Sequence, residues 1–341
     1  MPKPRARVRS PKSSAGPAEA PEDFVLGIDL GATKVVSALV GPDGAIVRHS
    51  GRHLHSNDGP DGVIRVLYQS VKACLEGSPP VPPRAVGVSV AAQVDPRSGT
   101  VIHAPNLGWR DVPLARRVSE ELAGLPVVVL NDARAATLGE WRFGAGRGTS
   151  DLFCMFLGTG VGGSAVVGGR LLEGGSNALG EVGHITIVVG GRKCHCPNRG
   201  CLEAYVGGWA IAERAQEAVR SDPDAGAALV ARAGSERDIT AQTVFQVFRT
   251  GDRLAVRLVR ETERCLADGA VSVVNAFNPS SLVLGGGIVT GMPELVPVVE
   301  AAIRVRCQPP AATARVLVAA FGENAPLVGA AEAARGAVRL R

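Results

Sequence analysis

From Phe24 onward, apolar positions gather into strand-length blocks, "FVLGIDL", "KVVSALV" and "AIVRHSGRHL", with "GPDG" as the turn between the last two. The period then lengthens. In "DGVIRVLYQSVKACLEG", Ile64, Leu67, Val71 and Leu75 recur at helical spacing. "SPPVPP" breaks the chain before a strand, "AVGVSV". A second helix, "VPLARRVSEELAG", leads into the strand "PVVVL". The pair Asn131-Asp132 then opens a third helix, "ARAATLGEW".

The opening pattern returns in "LFCMFLGTGVGGSAVVGGRLLEG", again strand, Gly/Thr-rich turn, strand, short turn, strand. Two such units predict a duplicated architecture of two related halves. Helical periodicity covers Trp209–Ser221, Thr240–Arg249 and Arg253–Phe277. The chain closes on a strand, "SLVLGGGIV", and a helix, "NAPLVGAAEAARGAV". Strands in blocks and β/α alternation elsewhere predict an α/β fold with two lobes.

Composition changes this picture little. The 341 residues are 45% hydrophobic and 20% charged, as in ordinary globular chains large enough to bury a substantial core. No apolar run is long enough to cross a bilayer and no signal peptide opens the chain, so a cytoplasmic location with no membrane partner is expected. The net charge of +5 equals the five basic residues of "MPKPRARVRSPK", which has no acid, and it therefore describes a tail and not a nucleic-acid surface. The first 22 residues lack periodicity and read as disordered. Contact with phosphate polymers and simple solvation both remain open for them.

Three glycine-rich turns follow apolar strands. "GIDLGATK" places Asp29, Gly31, Thr33 and Lys34 on a tight turn, where small residues let backbone N–H groups approach a phosphate while Thr33 and Lys34 add a donor and a charge. "LGTGVGG" repeats the device with Gly158, Thr159 and Gly160. "LGGG" brings Gly285, Gly286 and Gly287 where a base or ribose could lie. The Walker A pattern is absent, and the Rossmann fingerprint fails because β structure continues past the turn. Asp132, between a strand and a helix, suits two roles, an N-cap or a general base for phosphoryl transfer.

Of seven cysteines, three fall in "CHCPNRGC". With His184, Cys194, Cys196 and Cys201 make a closed one-nitrogen, three-sulfur set suited to structural zinc. His195 competes as the nitrogen ligand, but between Cys194 and Cys196 it would have to fold back tightly, so His184 is expected. The alternative is a reduced, oxidation-prone thiol loop. Glu181 and Glu203 flank the set, so a metal there would present both carboxylates on one wall. Cys74, Cys154, Cys265 and Cys307 read as reduced core thiols.

Taken in order, "DLGATK", "APNLGW", "LNDARAATLGEWRFGAGRG", "LGTGVGG", "GEVGH", "CHCPNRGCLE" and "LGGG" resemble the ROK family of sugar kinases and sugar-responsive repressors, over roughly Val25 to Ala337. The resemblance implies a two-lobed actin-like or hexokinase-like ATPase fold of the ribonuclease H-like kind, with a small zinc knuckle. It divides the chain into a tail (1–23), a small lobe (24–136, completed by a C-terminal helix, 327–341) and a large lobe (137–326). It implies ATP-dependent phosphorylation of a hexose, glucose first, at the 6-hydroxyl, with ATP, Mg²⁺ and structural Zn²⁺ as cofactors.

Under the same resemblance Asp132 is the catalytic base, and Asn106, Asn131, Asp132, Glu181, His184 and Glu203 surround the sugar. Asp29, Gly31, Thr33, Lys34, Gly158, Thr159 and Gly160 surround the phosphates and Mg²⁺. Gly285 to Gly287 lie near the adenosine, and His184 with Cys194, Cys196 and Cys201 hold zinc. Ala32, Ala92 and Pro197 depart from glycines common in the family. The family's dimer or tetramer is also implied. Alternatives are a mannose, N-acetylmannosamine or N-acetylglucosamine kinase, a polyphosphate-using glucokinase, and a sugar-sensing regulator. The residues ahead of the first glycine turn are too few for a DNA-binding helical unit, so no sequence-specific nucleic-acid partner is expected.

Overall fold

The computed structural model describes residues 23–55, 59–77 and 81–339. The tail read as disordered, residues 1–22, and the start of "SPPVPP" lie outside the described residues. The first half runs β1 (Val25–Leu30), β2 (Lys34–Val40), β3 (Ile46–His53), α1 (Gly59–Leu75), β4 (Val86–Val90), β5 (Gln93–Val94), β6 (Val101–Ala104), β7 (Trp109–Val112), α2 (Leu114–Glu121), β8 (Val127–Asn131) and α3 (Asp132–Arg142). The second half runs β9 (Leu152–Leu157), β10 (Val161–Val167), β11 (Arg170–Leu171), α4 (Glu203–Val206), α5 (Gly208–Ser221), α6 (Ala227–Ala233), α7 (Ala241–Phe248) and α8 (Arg253–Phe277). It ends with β12 (Ser281–Gly285), α9 (Gly287–Gly291), α10 (Leu295–Arg306), β13 (Arg315–Val318) and α11 (Ala325–Arg339).

The expected duplication is present as topology. One five-stranded sheet has the order β3-β2-β1-β4-β8 and the other β11-β10-β9-β12-β13. In each, the first strand pairs antiparallel with its hairpin partner and parallel with the strand on its other side. Central strands β1, β4 and β12 are buried on both faces and accordingly read as continuous apolar runs. Edge strand β3 alternates between partly buried and exposed. Helix α1 buries Val63, Ile64, Leu67, Val71 and Cys74 on one face, and Leu75 packs partly buried against the same core.

Helix α11 returns the C-terminus to the first sheet, where Leu327, Ala331 and Ala334 pack with Val25, Ala38, Val40 and Ala85. Backbones meet closely there. A Cβ at Gly329 would stand 1.6 Å from the Ala135 carbonyl oxygen, and one at Gly87 1.8 Å from the Ala330 oxygen. Helix α3 therefore touches α11 directly, while its Trp141 packs with Leu152 and Cys154 of the second sheet. Glu140, fully buried on α3, accepts hydrogen bonds from the backbone N–H groups of Ala145, Ala320 and Phe321 at 2.8–2.9 Å, so its carboxylate is buried but satisfied.

Some elements differ from the sequence reading. The strand read through "SLVLGGGIV" stops at Gly285, and α9 begins at Gly287. Gly286 between them has φ +89° and lies against Leu157, a turn that side-chain-bearing residues rarely adopt. Helices α6 and α10, strand β13 and the small sheet β5-β6-β7 add to the predicted set. Cys74, Cys154, Cys265 and Cys307 are buried free thiols, as expected. Among the described residues no helix is long and apolar enough to cross a membrane.

Gly329→Ala should cost about 3 kcal/mol or more, because the obstructing atoms are backbone and cannot rotate away. The urea midpoint of the variant checks this. An unchanged midpoint would mean that α3 and α11 do not approach this closely.

Candidate active site

The end of β8 delivers two polar residues to the start of α3. Asn131 takes the cap, its Oδ1 accepting the Arg134 N–H at 3.2 Å, while its Nδ2 donates to the Ala92 carbonyl at 3.4 Å. Asp132 is thereby released from capping. One of its oxygens accepts the Ala133 N–H at 2.9 Å. Burial pushes the Asp132 carboxyl above the usual carboxylate range, against hydrogen bonds from Ala133, its own N–H and Asn131. Protein surrounds the group, yet part of the residue's surface stays open to solvent.

Asp29, near the end of β1, faces the same space. It accepts a hydrogen bond from Ser89 at 3.0 Å, and its pKa is raised from 3.8 to about 6, by burial first, with the Asp132 charge adding and Ser89 and Lys34 opposing. Ser89 is a site-supporting residue that sequence reasoning passed over; a hydroxyl alone inside the otherwise apolar "VGVSV" was the available signal. Lys34 at the start of β2 pairs with Glu323 at 3.3 Å.

The turn at Gly31–Thr33 closes through the Gly31 N–H and the Lys34 carbonyl at 3.0 Å, leaving Thr33 exposed. The second hairpin turn closes likewise, from the Gly158 N–H to the Gly160 carbonyl at 2.9 Å, with Thr159 exposed. Gly286 abuts Leu157, so the third glycine turn sits beside the second; Gly287 is open, whereas Gly285 is packed against Phe156 and Ala319. These are short turns with accessible backbone, suited to anionic oxygens.

Glu181, which feels the charges of both Asp132 and His184, links Asp132 to the knuckle. His184, Cys194, Cys196 and Cys201 place their donor atoms within 4.8 Å of one another. Cys194 Sγ lies 3.7 Å from His184 Nδ1, and Cys196 Sγ 3.6 Å from Cys201 Sγ. Zn–S bonds of about 2.3 Å in a tetrahedron have edges of roughly 3.6–3.8 Å, so these two separations match zinc and the donor set fits it in chemistry. His195 is not part of it. Its ring stacks on Trp209, with centroids 3.8 Å apart and planes 17° from parallel.

Using Nδ1 for the metal leaves His184 Nε2 toward Glu181, 3.9 Å away. Burial raises the Glu181 pKa, and the charges of Asp132 and Glu203 add to this while His184 opposes it, so these carboxylates share one field. Glu203, first residue of α4, accepts the Val161 N–H at 2.8 Å and the Trp209 indole N–H at 3.3 Å. Asn106, on an exposed turn between β6 and β7, makes no side-chain hydrogen bond among the described residues, so the structure does not join it to this cluster. A groove of 940 Å³ lined by Arg192, Lys193, His195 and Trp209 contains none of Asp29, Asp132 and Glu181. The chemistry is placed by the carboxylates and not by that groove.

Because the Asp29 pKa is raised, the folded chain keeps a proton that the unfolded chain releases, and stability falls as the pH rises from about 4 to about 6. Asp29→Asn removes that penalty. Its thermal midpoint should exceed the parent's at about pH 7.5, with the gap closing toward about pH 4. A gap independent of pH would contradict the burial of this carboxyl.

The family model described as ROK family matches residues 25–337. The glucokinase of Streptomyces coelicolor is 34% identical over 318 residues, covering 92% of this chain and 98% of its own. A solved ROK family glucokinase from Streptomyces griseus, in complex with glucose and AMPPNP, is 34% identical, covers 92% of this chain and 99% of its own, and superposes with a TM-score of 0.79. The xylose repressor of Bacillus subtilis is 26% identical over 309 residues, 90% of this chain and 75% of its own. With its duplicated α/β sheets and glycine turns, the chain belongs to the ROK family.

Proposed function

We propose that this chain is an ATP-dependent hexokinase that phosphorylates glucose at its 6-hydroxyl. The carrying observation is Asp132, a carboxylate at the start of α3 behind the Asn131 cap, whose pKa burial raises and whose charge reaches both Asp29 and Glu181. The glucokinases at 34% identity support the same reading.

In this reading the sugar lies against Glu181, His184 and Glu203, with Asn131 beside Asp132 and Asn106 arriving from its exposed turn. Asp132 accepts the 6-hydroxyl proton as O6 bonds to the γ-phosphorus, and the bond from that phosphorus to the leaving ADP oxygen breaks. The turns at Gly31–Lys34 and Gly158–Gly160 hold the phosphates by backbone N–H groups. Asp29 is the carboxylate placed to meet Mg²⁺, and the Gly285–Gly287 turn to meet the adenosine. His184, Cys194, Cys196 and Cys201 would hold zinc with all four positions filled, so the ion supplies shape to the sugar wall. The small lobe, 24–136 with the C-terminal helix, and the large lobe, 137–326, would close on the bound pair and exclude water.

The likeness to a xylose repressor supports a second reading, a sugar-responsive regulator that binds without turnover. Release of ADP across a panel of hexoses and amino sugars separates the two. The kinase reading expects turnover, greatest with glucose; sugar binding with no ADP release would favour the regulator. Asp132→Asn should lower turnover by roughly 10²–10⁴-fold, the usual worth of a general base, and leave glucose affinity within severalfold. Near-normal turnover would remove Asp132 from that role. In the parent, kcat should fall in acid at a pH above the ordinary carboxylate range, as the raised pKa requires.

A further inference from the structure

Trp209 makes three contacts that no other part of the account explains. Its ring is stacked by His195, the residue between knuckle cysteines Cys194 and Cys196. Its indole N–H donates to Glu203 Oε1 at 3.3 Å. Its backbone N–H donates to the Thr159 carbonyl at 3.3 Å, beside a bond from the Gly208 N–H to the Gly158 carbonyl at 2.9 Å. Glu203 itself leans on the same turn, since its Oε2 accepts the Val161 N–H at 2.8 Å and a Cβ at Gly160 would stand 2.5 Å from that oxygen.

We infer that Trp209 is a positioning residue that carries the shape of the metal-holding knuckle to Glu203. The physical chain is short. When Cys194 and Cys196 are drawn to a common ion, the backbone of His195 between them is fixed, and with it the plane against which the indole rests. The indole N–H then holds one Glu203 oxygen while the Val161 N–H holds the other, so the carboxylate cannot rotate. A carboxylate fixed by two donors presents its remaining lone pairs in one direction, which is the preorganisation a sugar hydroxyl needs. Were Trp209 only filling space, phenylalanine would replace it without consequence for Glu203. The kinetic consequence rests on the kinase reading above, whereas the coupling between knuckle and indole does not.

The test uses the zinc-loaded full chain, Trp209→Phe, which keeps a ring under His195 but removes the donor, and His195→Ala, which leaves all four metal-holding residues. Zinc per chain and the KM for ATP should be unchanged in both. The KM for glucose should rise roughly tenfold in Trp209→Phe, the size expected for one hydrogen bond to a charged group, and should also rise in His195→Ala. Treatment with EDTA should shift the tryptophan emission of the parent and leave that of Trp209→Phe in place. A glucose KM within about twofold of the parent in both variants overturns the inference. So does a parallel loss in glucose KM, ATP KM and thermal midpoint, which would make Trp209 merely structural. If the parent phosphorylates no hexose, the kinase reading fails by itself; the emission response then still decides, and a shift equal in parent and Trp209→Phe refutes the coupling.

Discussion

Four donor atoms from two separated segments, His184 and the loop of Cys194, Cys196 and Cys201, stand within 4.8 Å of one another, and the cleft depends on that convergence. A loop of glycine, proline and asparagine has little apolar area with which to fix itself. Without a common ion its thiols and imidazole have no strong reason to converge. Glu181, three residues before His184, and Glu203, two after Cys201, flank the knuckle, next to the core side chains of Val182 and Leu202.

The charge of Asp132 raises the pKa of both Asp29 and Glu181, and that of Glu203 adds to the rise at Glu181. Such crowding is unfavourable for stability, and the protein tolerates it by supplying selected donors: Ser89 to Asp29, Asn131 and Ala133 to Asp132, Val161 and Trp209 to Glu203. Asn131, and not Asp132, takes the cap position of α3. A single exchange of roles between neighbours thus separates helix start from chemistry.

Much of the fold was legible because burial imposes periodicity. The doubly buried strands β1, β4 and β12 read as apolar runs, and α8 was placed at its observed bounds. What was missed lacks such a pattern. The strands of the β5-β6-β7 sheet are two to four residues long, β13 is only partly buried, and α9 begins inside a glycine run that reads equally as strand. At the site, spacing revealed the cysteine knuckle, and the structure removed His195 as a ligand by stacking it on Trp209. The three-way contact of Trp209 was not legible, since a tryptophan near a helix start looks like any partly buried aromatic. Asn106 remains a residue placed by resemblance alone.

The central claim is that a closed Cys3His ion holds Glu181 and Glu203 in place for a hexose opposite Asp132. Elemental analysis of the purified chain, paired with calorimetric glucose titration before and after chelation, tests it most directly. The account predicts about one zinc per chain and a large loss of glucose affinity on its removal, restored by zinc. A chain that carries no zinc, or one that binds glucose equally well after chelation, would contradict it.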